Sequence, residues 1–69
     1  MGRDLAGRYE AAFNRLRPRD QRAIVLRMDL GYSYQDLADA LGIPSAGAAR
    51  TAVSRALVRL SHLMEENVS

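Results

Sequence analysis

Apolar positions recur along this chain at spacings of three and four, the repeat of one helical face, and nowhere alternate over strand length. Leu5, Tyr9, Ala12, Phe13 and Leu16 mark the apolar side of a first helix. A second helix is expected to start near Arg17 or Pro18, because proline is tolerated in a first helical turn and Asp20 suits the positive end of the helix dipole. Its core side is Ala23, Ile24, Leu26 and, at the far end, Leu30. Gly31 supplies a stop. Ser33, three residues before Asp36, reads as a capping box for a third helix with Leu37, Ala38 and Leu41 inward, and Gly42 ends it. Ile43, Pro44 and Ser45 form a tight connector. Ser45 is the candidate N-cap of a fourth helix, opening there or one residue later and running without a breaker towards Met64, with residues 65–69 expected to fray.

At about 100° per residue, Ala49, Val53, Ala56, Leu57, Leu60 and Met64 fall on one side of that fourth helix and read as core. Gly47, Thr51, Ser54, Arg55 and Val58 point the other way, with Arg50 and Arg59 on the flanks. A narrow face of small and basic side chains fits the major groove of B-form DNA, where an arginine can donate two hydrogen bonds to guanine; the competing reading is a merely solvated helix surface. The preceding residues favour the groove. Leu37, Ala38, Leu41, Gly42 and Ile43 have the spacing of a helix-turn-helix turn: Ala38 where two helices cross closely, Gly42 where the chain swings round, Ile43 plugging the corner. The amides opening the third helix at Ser33, Tyr34 and Gln35 are then free to meet a phosphate.

Charge sharpens this picture more by its distribution than by its sum. The net charge is only +2, and all ten basic residues are arginine. Residues 28–49 contain Asp29, Asp36 and Asp39 without a base, whereas 50–59 hold Arg50, Arg55 and Arg59 without an acid. Arginine suits phosphate and guanine, although a GC-rich genome would produce the same bias. A chain of 69 residues makes one domain, expected over residues 1–69, whose core buries only roughly 60% of the unfolded surface. No cysteine is present and His62 is the single histidine, so neither disulfides nor a metal cage is expected. No apolar run approaches the roughly 20 residues that cross a bilayer and no long hydrophobic segment opens the chain, so an intracellular place is expected.

The segment Leu16-Arg17-Pro18-Arg19-Asp20-Gln21-Arg22, the element Gly31-Tyr32-Ser33-Tyr34-Gln35-Asp36-Leu37-Ala38, the turn Leu41-Gly42-Ile43-Pro44 and the late triplet Ser54-Arg55-Ala56 together resemble a known family. It is the region 4 domain of bacterial RNA polymerase sigma factors, most like the extracytoplasmic-function group. The chain departs from that pattern by one extra residue between Pro44 and Gly47, by Ala48-Ala49 for the usual Thr-Val, and by Ala52 where many members carry arginine. The resemblance implies double-stranded promoter DNA, read at the minus-35 element through the major groove, and core RNA polymerase, met at its β flap, as partners of a monomer. It also admits an anti-sigma factor. By that resemblance Arg50 and Arg55 contact phosphates or bases, and Thr51 and Ser54 base edges. The DNA-contacting candidates are Tyr34, Gln35, Ser45, Gly47, Arg50, Thr51, Ser54, Arg55 and Arg59.

The resulting expectation is an all-α, small four-helix domain with a C-terminal helix-turn-helix over about residues 33–64, working in transcription. Two other readings compete with it. A LuxR-type helix-turn-helix regulator shares the Gly-x-Ser element but not the Ser54-Arg55-Ala56-Leu57 pattern, and a sigma-like interaction module would bind polymerase or an anti-sigma factor without reading DNA. An enzyme is disfavoured, since His62 has no nucleophile or paired carboxylates beside it and no glycine-rich phosphate loop exists; no cofactor is expected. Tyr9, Tyr32 and Tyr34 read as core and loop residues rather than a stacking platform.

Overall fold

The structure, a computed structural model, describes residues 2–66. It is all helical there: α1 Gly2–Arg15, α2 Pro18–Ile24 continued by a π-type turn Val25–Asp29, α3 Tyr34–Leu41 and α4 Ala46–Glu66. No strand occurs among the described residues, and no helix there is long and apolar enough to cross a membrane.

The punctuation acts where the sequence places it. Arg17 is the extended N-cap of α2 and Pro18 its first residue. The Ser33 side chain accepts a hydrogen bond from the Asp36 amide at 3.1 Å and opens α3. Gly42 closes α3 in the left-handed conformation, φ 68°, which costs a residue without a side chain little. Ile43, just beyond, donates its amide to the Ala38 carbonyl at 2.8 Å and buries its side chain in the corner. Ser45 is the N-cap of α4, its hydroxyl accepting from the Ala48 amide at 3.0 Å, so the helix proper starts at Ala46.

Packing runs through α4, which touches α1, α2 and α3. Its N-terminal half joins Ala23, Leu37, Ala38 and Ile43 through Ala49 and Val53. Its C-terminal half joins Ala12, Leu16 and Ile24 through Ala56 and Leu60. The two clusters meet at α2, where Ala23 and Ile24 are neighbours in sequence. Arg27 binds the end of α2 to the start of α3, donating to the Tyr32 carbonyl at 2.8 Å with its guanidinium 4.2 Å above the Tyr34 ring.

Three expectations are corrected. Leu57, read as core, is 36% exposed, because it stands at the edge of the α1–α4 seam while Ala56 and Leu60 fill its centre. Leu5 and Tyr9 lie on the expected side of α1 but line an open channel with Leu57, Leu60 and Met64 instead of being covered. Leu30 is 63% exposed: the last turn of the second helix widens, with the Leu30 amide reaching back five residues to Val25, and Leu30 becomes its C-cap outside both clusters. At its C-terminal end α4 runs past Met64. It continues to Glu66, which pairs with Arg15 across the α1–α4 seam at 3.4 Å; residues 67–69 lie outside the described part.

Small residues at the crossings predict a specific sensitivity. Ala38→Leu, at a side chain 1% exposed, is expected to lower the unfolding free energy by about 1–3 kcal/mol through overpacking. Urea unfolding followed by circular dichroism measures this, and an unchanged midpoint would show that α3 and α4 do not touch there.

Candidate nucleic-acid interface

α4 divides lengthwise into a buried stripe, Ala49, Val53, Ala56 and Leu60, and an exposed side carrying Gly47, Arg50, Thr51, Ser54 and Arg55. The division follows from periodicity, since residues three, four and seven apart share a side. Gly47, Thr51 and Arg55, each four residues from the next, form a straight strip along it. Thr51 donates its hydroxyl hydrogen to the Gly47 carbonyl at 3.2 Å, which holds the side chain against the helix. Gly47 has a helical backbone with room for a side chain, the nearest atom to an added Cβ being Ser45 Oγ at 3.9 Å. Its bareness is therefore not demanded by internal packing.

The remaining candidates lie outside this strip. Tyr34 and Gln35 open α3; Tyr34 is half-buried under Arg27, and Gln35 is exposed with its amide donating to Asp39 Oδ1 at 3.3 Å. Ser45 is exposed at the head of α4, its hydroxyl oxygen already serving as cap. Arg59 is drawn away from the strip. Its Nη1 donates to both carboxylate oxygens of Asp20, at 3.2 and 3.1 Å, while Arg17 Nε approaches the same carboxylate at 3.5 Å.

Asp20 is a neighbour of that strip that the sequence marks only as suited to the helix dipole. It is 7% exposed, the buried charged residue of the described core, and lies 39 positions from Arg59. No local pattern announces a pair so far apart. A carboxylate buried that deeply needs such partners, because an unpaired buried charge is costly. The pair also shapes a groove beside that strip, lined by Arg17, Arg19, Arg55 and Arg59 over Asp20. Four guanidinium groups against one carboxylate leave that groove positive and suited to anions.

No group of side chains suited to hold a metal ion occurs among the described residues. His62 is exposed, and the outer side of α4 offers hydrogen-bond donors and small apolar groups.

A helix-turn-helix with this exposed strip matches one family model, Sigma-70, region 4, over residues 6–60. The chain belongs to that family. Region 4 domains are non-enzymatic DNA-binding domains of sigma factors, which act in transcription with RNA polymerase. The match runs from α1 to the last buried leucine of α4, so it takes in both clusters and the whole strip. No curated protein and no solved structure matches the chain.

The region 4 chain should depend on the Asp20–Arg59 pair. Asp20→Asn is expected to destabilise it by about 1–2 kcal/mol, less than a fully buried pair because the Arg59 side chain is 46% exposed. A double-mutant cycle with Arg59→Met, read by thermal unfolding, checks it: strictly additive effects would mean that the two groups do not interact.

Proposed function

We propose that this domain reads the minus-35 element of promoters by laying α4 in the major groove, and that it docks on the β flap of core RNA polymerase during initiation. The observation that carries the first part is the strip Gly47–Thr51–Arg55, exposed on a helix whose opposite side is locked into both core clusters. A reading helix needs that rigidity, because a base contact is lost with small changes in its roll. In this reading Tyr34, Gln35 and Arg50 meet phosphates and set the register, and Thr51, Ser54 and Arg55 read base edges. Ser45 brings the head of α4 to the groove edge, and Gly47 lets the helix approach closely. Arg59 acts from the flank, as part of the arginine-lined groove that faces the adjoining backbone.

Docking is supported by the open channel between α1 and α4. Leu5, Tyr9, Leu57 and Met64 line it, on a side of α4 turned more than a right angle from the reading strip. Arg8 Nε is buried in its wall with no hydrogen-bond partner, a donor that an incoming main chain can use. An anti-sigma factor would compete for the same channel. The chain acts as a monomer, as one domain over residues 1–69, of the extracytoplasmic-function type, in the cytoplasm on the nucleoid. The channel also favours a second reading, a module that binds polymerase without reading DNA.

The two readings separate in one experiment, a salt titration of duplex binding beside a pull-down with the isolated β flap. Few arginines meet the backbone, so duplex binding should be weak at physiological salt and strengthen steeply at low salt. Flap capture with no duplex binding at any salt would leave only the second reading. Within the first, Arg55→Ala should cost about 1–3 kcal/mol of duplex affinity and blur preference at one position, as loss of a bidentate guanine contact does. Equal binding by Arg55→Ala and the parent across a panel of duplexes would remove Arg55 from the reading set.

A further inference from the structure

Thr51 is the residue on the reading strip whose hydrogen-bond donor the fold has already committed. Its single hydroxyl hydrogen goes to the Gly47 carbonyl at 3.2 Å. What remains for a ligand is an acceptor oxygen and a methyl group. That limits which base edge it can satisfy. The major-groove edge of guanine presents two acceptors, N7 and O6, and Thr51 can donate to either only by giving up its bond to the Gly47 carbonyl. Cytosine presents an amino donor but no methyl. An A·T pair presents both complements at once, the C5-methyl of thymine for the threonine methyl and the N6 amino group of adenine for the oxygen.

Gly47 strengthens the assignment from the other side. Gly47 is the second residue of α4, where glycine costs less than in a helix interior, and the protein leaves space there for a Cβ. With no internal reason for the missing side chain, the gain lies with a surface that comes against α4 at that point. A close approach at Gly47 carries Thr51, one turn on, to the base edges. Arg55 follows one further turn on, about 6 Å along the axis, and base pairs stack at about 3.4 Å.

We infer that Thr51 is a specificity-determining residue that selects a thymine by methyl–methyl contact, about two base pairs from the guanine held by Arg55. The inference rests on the promoter-reading function proposed above and adds to it the identity of one base.

The test starts from a pool of random-sequence duplexes, selected in parallel on the 69-residue chain and on its Arg55→Ala variant. The guanine preference present only with the parent marks the Arg55 position. Thymines around it are then replaced one at a time by deoxyuridine, which removes the C5-methyl and nothing else. The parent should lose about fourfold in affinity at one position, two base pairs from that guanine, which is the worth of roughly one buried methyl group. Thr51→Val, which keeps a methyl, should lose as much; Thr51→Ser should bind thymine and deoxyuridine alike. Equal binding of the two bases by the parent overturns the inference, and so does discrimination that survives in Thr51→Ser or vanishes in Thr51→Val. A selection with no enriched sequence overturns promoter reading itself, whereas an enriched motif indifferent to the methyl overturns the thymine assignment alone.

Discussion

Every helix of this domain meets α4 through alanine. Ala12 of α1 lies in one cluster with Ala56, and Ala23 of α2 and Ala38 of α3 lie in the other with Ala49. Alanine lets helix axes approach towards the near end of the usual range of about 8–10 Å, and its burial loses no side-chain entropy. It also buries little area. Leu37 is the largest side chain fully enclosed, so the fold holds by the fit of its crossings more than by the volume of its core. One consequence is functional. Both clusters grip the same stripe of α4, so its roll and depth are set at two places along its length, and the opposite side is presented at a fixed angle.

That dependence explains which features could be read from the chain and which could not. Caps and stops are local chemistry, and Ser33, Gly42 and Ser45 do in three dimensions what their neighbours in sequence imply. The division of α4 into core and exposed sides is likewise a property of one helix, so periodicity finds it. Periodicity does not tell how far a neighbouring helix extends over a residue. Leu5, Tyr9 and Leu57 share the apolar side of their helices and still stand open, because coverage depends on the angle between α1 and α4. The widened turn Val25–Asp29 has no compositional mark, and it leaves Leu30 outside the core that its spacing suggested.

Arg59 shows the limit for charged residues. Its place on the helical wheel, on a flank of the exposed side, is as expected, but a wheel contains nothing of α2. The structure puts Asp20 opposite it and turns one prospective free cation into half of an ion pair. The pair serves the strip indirectly: it ties the head of α2 to the middle of α4, and it holds Arg59 and Arg17 beside Arg19 and Arg55 instead of leaving four like charges to repel. A carboxylate within a basic surface here lowers the local charge and raises its order.

The same reasoning accounts for a polyanion-binding domain of such small net charge. With a net charge of +2, attraction to DNA at a distance is slight, and what matters is that acid and base are segregated. Asp29, Asp36 and Asp39 belong to the stretch before the turn, whereas Arg50 and Arg55 stand on the exposed side of α4 with the arginine-lined groove alongside. A duplex approaching on the α4 side meets cations that are few but fixed, which favours orientation over raw affinity. In the function proposed above, a second attachment then holds the complex. The open channel between α1 and α4 can supply it without disturbing the strip, since the two occupy different sides of one helix whose middle is immobilised by the alanine crossings.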